Sequence, residues 1–246
     1  MKEFLRKLRN SKYFHIMVIM LIIFALTFAT FLIILRYEVE GETKLPFEIS
    51  KISIISTAQG TNKEALDTRW AFDISQNNDI FIEFDKNPEY KKVEYLKKVT
   101  IENIQTSKEN IKIFKPNTNA DKLMFINSDE NMVNNIEYIG SQKNNLKNME
   151  ISNQGGIISF RSANTNIAEY KSNDEEINHT ELLKKVGITN EELKANIKFD
   201  LIMEFEEEKR YKANIELQIP IGDVVNEGTT STEITDLENI IFKKCD

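Results

Sequence analysis

A chain with one cysteine and two histidines has little with which to hold a transition metal or build a nucleophile. His15 sits in an apolar run, which leaves His179 and Cys245 as the only imidazole and thiol elsewhere. A zinc site of clustered His and Cys is therefore excluded. A Ser-His-Asp triad would have to use His179, at an expected helix start and with no nucleophile-elbow motif. The eight glycines form no phosphate-cradling loop. No cofactor is implied. A lone thiol also forbids an intrachain disulfide, and Cys245 matches neither a lipoprotein anchor nor a prenylation signal.

Basic charge is in short supply too. The chain has 32 Lys and Arg against 39 Asp and Glu, a net charge of −7. Five of those cations (Lys2, Arg6, Lys7, Arg9 and Lys12) crowd into residues 1–12, with Glu3 the only acid there. The remainder carries 27 cations against 38 acids, a net of −11. Nucleic acid needs a concentrated basic face for counterion release, so a nucleic-acid partner is excluded.

What the sequence does contain is one long apolar run. Between Lys12 and Arg36 there is no charged residue. The 23 residues 13–35 would span roughly 34 Å as a helix, against a hydrocarbon core of about 30 Å. Tyr13 and Tyr37 bracket the run at headgroup depth, and Lys12 and Arg36 can snorkel beyond them. Residues 13–37 therefore read as a transmembrane helix lying in the lipid bilayer. Small residues at Thr27 and Ala29 offer a signal-peptidase site. The run FLIIL at 31–35 continues past it, which favours an uncleaved signal anchor.

The basic leader, residues 1–12, predicts a cytoplasmic amino terminus by the positive-inside rule. Its Phe4, Leu5 and Leu8 have the spacing to lie on the inner leaflet. Ala25 and Ala29 form a small-xxx-small pair suited to self-association of the helix. Residues 38–45 read as a juxtamembrane spacer and 46–246 as an extracytoplasmic domain. A disulfide-free extracytoplasmic domain, with abundant Asn, Ile and Lys, points to a bacterial cell envelope.

The domain reads as mostly β. Phe47 and Ile49, then Ile52 and Ile54, change parity near Ser50, which predicts a bulge. Trp70, Phe72 and Ile74 alternate, as do Ile80, Ile82 and Phe84. With Asn77-Asn78-Asp79 between them, this predicts a hairpin. Gly155-Gly156 predicts another. Short strands are expected at 99–101, 111–114 and 237–242, with ordered runs at 123–126 and 136–139.

Two capping boxes, Asn178 with Glu181 and Thr189 with Glu192, predict a small helical insertion, with Gly187 closing its first helix. The clearest pair follows: Phe199, Leu201, Met203 and Phe205 on one strand, Ile215, Leu217 and Ile219 on the next. Only Ile202 breaks the polar side. One wet and one dry face each predicts an antiparallel β-sandwich-like domain with its core at these residues and at Trp70, Phe72 and Ile74.

No constellation defines a reaction. The loop at 127–131 resembles the start of a calcium loop, but Met132 stands where the turn glycine belongs and Tyr138 where the bidentate Glu belongs. Asn178-His179-Thr180 fits a glycosylation sequon, relevant only in a eukaryotic secretory route. The expected function is a non-enzymatic, membrane-tethered module that binds an envelope protein. A glycan or small-ligand module would need an exposed aromatic platform. A carboxylate-dependent hydrolase would need two facing acids with raised pKa values.

Overall fold

Residues 12–64, 67–117, 123–140, 151–152 and 154–245 are described by a computed structural model. The chain divides into two units, Met1–Thr43 and Lys44–Asp246. In the first, α1 (Lys12–Glu40) is a single 29-residue helix, apolar all round and with no buried residue. It is long and apolar enough to cross a membrane. The hydroxyls of Thr27 and Thr30 bond back to the helix carbonyls of Phe24 (2.9 Å) and Leu26 (2.9 Å), so neither is left unpaired on the apolar surface. The helix runs three residues past Tyr37 into the expected spacer, where Arg36 and Glu40 pair at 2.7 Å one turn apart. Gly41, with φ 64°, ends it by donating its N–H to Tyr37 O at 2.8 Å.

The second unit is two antiparallel sheets. Sheet A holds β1 (Phe47–Asn62), β2 (Trp70–Lys86), β4 (Ile111–Phe114), β6 (Ile151–Ser152), β7 (Gly155–Ser172) and β10 (Thr229–Ile234). Its order is β10-β1-β2-β7-β4, with β6 also on β7. Sheet B holds β3 (Leu96–Thr106), β5 (Ile136–Ile139), β8 (Ala195–Phe205), β9 (Arg210–Ile219) and β11 (Lys243–Cys245), in the order β11-β9-β8-β3-β5.

The inner faces share one core. Sheet A contributes Phe47, Ile52, Ile54, Ile80, Ile82, Phe84, Ile158 and Phe160; sheet B contributes Val99, Ile101, Phe199, Leu201, Met203, Phe205 and Ile215. Two aromatic pairs cross between the sheets. Phe160 meets Phe199 edge-on at 5.3 Å, and Phe47 stacks on Phe205 at 5.8 Å. Tyr138 on β5 donates its buried hydroxyl to Ser159 O on β7 at 2.7 Å. Burial pushes that phenol well above its ordinary pKa. Leu217 and Ile219 extend the same core along β9.

A second, smaller core lies under the far ends of the long strands. Phe72 and Ile74 of β2 pack there against Leu182 and Leu183 of α2 (Leu182–Lys185), Leu193 of α3 (Asn190–Leu193), and Val224 and Val225 of α4 (Val224–Glu227). Trp70 is half-buried against this cluster and stacks on Phe72 at 6.1 Å. The Thr189–Glu192 capping box forms in full at α3. Asn178 instead accepts from Thr180 N–H, and its residues open a 3-10 turn.

Several local expectations need correction. Residues 70–86 form one continuous strand and not a hairpin, because Asn77 and Asn78 find side-chain partners on neighbouring strands instead of turning the chain. The bulge near Ser50 is real: Ile49 pairs with Phe84, then Lys51 with Glu83. Gly155 and Gly156 do open a hairpin, pairing with Ser152 and Ile151. Residues 237–242 are not a strand; Leu237 and Ile240 pack on the main core, and β11 follows them. Residues 123–126 are irregular. Ile202, aligned with Thr100 and Lys212, is buried on the otherwise polar side of β8.

Candidate functional site

After β4, the described residues 115–117 and 123–132 form a strap against the outer face of sheet A. It is pinned by Arg161 of β7. The guanidinium bonds Asp79 of β2 twice, Nε to Oδ1 at 2.6 Å and Nη2 to Oδ2 at 2.9 Å. Its third reach, Nη1 to Asn127 Oδ1 at 3.2 Å, catches the strap. Phe125 of the strap lies beneath the cation, 5.0 Å from ring centroid to Cζ, and meets Phe81 edge-on. Asn127 also donates to Asn77 Oδ1 at 2.9 Å, and Asn77 donates to Gln59 Oε1 at 2.6 Å. The row Gln59-Asn77-Asn127-Arg161-Asp79 thus ties three strands to one loop.

Beside this row lies a cleft of about 330 Å³, floored by β1, β2 and the bulge of β7 and walled by β4 and the strap. Thr61, Lys112, Asp129, Thr165 and Asn166 line it, and no hydrogen bond or ion pair involves their side chains. The bulge arises where β2 advances from Ile74 to Gln76 while β7 advances from Ala168 to Asn164. Asn166 sits in it at φ 53°, its N–H on Ser75 Oγ at 3.2 Å. The strap also exposes two large apolar side chains, Leu123 (72%) and Met132 (45%), while it buries Phe125.

The inner face of the same strands holds a polar belt. Along β2 the buried residues run Phe72, Ile74, Gln76, Asn78, Ile80, Ile82, so two amides separate the two cores. Asn78 Oδ1 accepts from Ser56 Oγ and Gln76 Nε2, both at 2.8 Å. Asn78 Nδ2 donates to Gln76 Oε1 at 3.2 Å and Ser162 O at 3.4 Å. Ser56 in turn accepts Ile221 N–H at 2.9 Å.

The outer face of sheet B is a lattice of mixed charge. Glu204 is held below the usual carboxylate range by its hydrogen bond to Lys97, against the opposing effect of burial. Around Asp200, burial works to raise the pKa, but hydrogen bonds from Asn103 and Asn214 and the nearby Lys212 outweigh it and the net shift is downward. Glu169, Glu192 and Asp223 are lowered as well. Every displaced carboxylate among the described residues thus moves away from the raised value a general acid needs.

The residues singled out from the sequence fall in separate places. Lys12 and Tyr13 open α1, and Arg36 and Tyr37 lie in its last turns; Lys2, Arg6, Lys7 and Arg9 lie outside the described residues. Phe199, Leu201, Met203, Phe205, Ile215, Leu217 and Ile219 are in the main core, and Phe72 and Ile74 in the smaller one. His179 packs edge-on against Phe72 at 5.6 Å. Trp70 donates its indole N–H to Asp174 O at 2.9 Å. Among the described residues no Phe, Tyr or Trp ring of 44–246 is exposed; all are buried or half-buried. In the calcium-like stretch Asn127 is engaged by Arg161 and Asn77, and no group of three or more His, Cys, Asp or Glu placed to hold a metal occurs among the described residues.

Sequence reasoning missed Arg161, and it read Asn77 and Asp79 as a turn and Asn127 as part of a calcium-like loop. Their only signal was alternation: Asp79 and Asn77 share the outward parity of β2 with Phe81, which a continuous strand would have revealed. No known protein family, no curated protein and no solved structure matches this chain.

Proposed function

We propose that this chain is a single-pass membrane protein of the bacterial cell envelope. Its amino terminus is cytoplasmic, and its sandwich, residues 46–246, is a non-enzymatic module that binds another protein. The observation that carries the reading is the strap: Phe125 and Asn127 hold it to the sheet while Leu123 and Met132 face solvent. Apolar side chains displayed on a pinned loop, next to polar groups without intramolecular partners, make up the core and rim of a protein interface.

A photo-cross-linking residue at position 123 or 132, in native cells, tests it. The expected result is one discrete adduct common to both positions and absent when the probe replaces Lys198 on sheet B. No adduct, or the same smear from all three positions, overturns it. Orientation is read from Cys245 with a membrane-impermeant maleimide on intact cells. Labelling supports an external domain, whereas labelling only after lysis without denaturant reverses the topology.

A glycan or small polar ligand is the second reading: the five free polar side chains of the cleft favour it, while the lack of an exposed Phe, Tyr or Trp among the described residues of 44–246 counts against it. It predicts that envelope oligosaccharides raise the unfolding temperature, and that Asn166→Ala removes the effect.

A further inference from the structure

The sheet edges differ in how they are closed. Beyond β4, Lys115 N–H donates to Asn131 O and Val133 N–H to Ile113 O, both at 2.9 Å, so the strap covers that edge. β11 is three residues long, two of them lysines, and lysine guards an edge because its charge resists pairing. β5 has four residues, with Glu137 beside Lys98, and β6 has two. β10 is different. Its six residues, TTSTEI, contain no proline, lysine or bulge, and β1 is its only strand neighbour among the described residues. Thr229, Ser231 and Glu233 are exposed along it.

We propose that β10 is the edge through which a second copy of this chain adds antiparallel, so that one sheet runs through two sandwiches. An edge strand pairs with its own copy, inner face to inner face, only when the two-fold axis passes through a residue. Centred on Ser231, the axis sets Thr230 opposite the second copy's Thr232, and Thr229 opposite its Glu233. Centred on Thr232, it sets Thr230 opposite the second copy's Ile234, and Ser231 opposite its Glu233. Neither register places Glu233 opposite Glu233. Each Glu233 is paired with Lys51 of its own β1 at 3.1 Å. Cross-strand pairs of Thr and Ser are favourable, whereas facing like charges are not, so the charge that normally defends an edge is missing here. β10 and β4 lie at opposite edges of sheet A, so the self-pairing edge and the strap can fail independently.

The test uses the full chain in its membrane, with Cys245→Ser and a new cysteine at Ser231 or Thr232, under mild oxidation. A species of twice the chain's mass is expected from at least one of these positions, several-fold above a Glu137→Cys control on the β5 edge. No dimer, dimer equal to the control, or an adduct of any other mass overturns the proposal. Adjacent residues of an antiparallel strand aim their N–H groups to opposite sides. One of Ser231→Pro and Thr232→Pro therefore keeps the bonds to β1 and folds. That folded variant, carrying its cysteine at the other position, is expected to lose the cross-link. If it still dimerises, strand addition is wrong.

Discussion

Arg161 and Asp79 form a two-pronged ion pair between β7 and β2, and the same guanidinium carries the strap through Asn127 and Phe125. The side chains are 11% and 16% exposed, so the pair is largely shielded from solvent. Arg161→Ala leaves the Asp79 carboxylate without its cation and is expected to cost about 2 to 3 kcal/mol in urea unfolding. Phe125→Ala should add less on top of Arg161→Ala than it costs alone, with a coupling of about 0.5 kcal/mol or more. Strictly additive losses would mean that the strap is not held through Arg161.

Asn78 is a second point of sensitivity, on the opposite face of β2. Asn78→Ala removes the acceptor of Ser56 and Gln76 at once and leaves two buried polar groups without it, a loss of about 2 to 3 kcal/mol. Asn78→Asp nearly keeps the shape but buries a carboxylate with no cation among its partners. Its deficit should be the larger at pH 7 and should shrink as the pH is lowered and the group protonates. Equal and pH-independent losses in the two variants would show that the belt is not dry.

How much of this was legible in the sequence depends on which forces act locally. β8 and β9 were readable because each side chain's fate is set by its own strand's alternation: Phe199 aligns with Ile215, Leu201 with Ala213, and Met203 with Tyr211, all on the dry face. The Ser50 bulge was readable for the same reason. β2 was not. Asn-Asn-Asp has strong turn chemistry, and only the long-range partners Ser56, Ser162, Gln59 and Arg161 make it a strand interior. The strap was invisible for a related reason. Its anchor residues carry no periodicity of their own, and Arg161 lies thirty-four positions from Asn127.

Glu204 gives the domain a specific acid sensitivity. Lys97 bonds it at 2.6 Å, with Lys98 at 3.8 Å and Arg210 at 4.0 Å, and its side chain is 14% exposed. A folded-state pKa below the unfolded value means that the contribution is complete above the unfolded pKa, about 4.3. It is lost as the pH falls through the lower folded value. Glu204→Gln should therefore be less stable than the parent at pH 7, and the gap should close toward pH 3. Urea midpoints at the two pH values decide this, and a gap that stays constant or widens at pH 3 excludes the sign.

Two glycines with nearly the same positive φ separate conformational freedom from close approach. Gly187 (φ 75°) follows α2, and a Cβ placed on it meets nothing within 4 Å. Gly228 (φ 71°) follows α4, and a Cβ there would lie 2.6 Å from Thr180 Cγ2, 2.7 Å from its Cα and 2.8 Å from its carbonyl oxygen. Gly187→Ala should cost only the left-handed backbone penalty, about 1 to 2 kcal/mol. Gly228 sits at ψ −35°, outside the left-handed helical region, so Gly228→Ala should cost more than that in backbone strain, with an overpacking cost of about 1 to 3 kcal/mol added because the backbone of Thr180 has to move. Its effect should also spread. Gly228 O accepts Ala58 N–H at 2.8 Å, so displacing Gly228 pulls β1 away from the turn that carries Thr180 and loosens the lid over the smaller core. Amide hydrogen exchange should then quicken at Leu182, Leu183, Val224 and Val225 in Gly228→Ala, while the main-core amides of β8 keep their protection. In Gly187→Ala the same smaller-core amides should quicken less, in keeping with its lower cost. Uniform quickening across both cores in Gly228→Ala would mean that the two cores open as one unit and that the polar belt does not divide them.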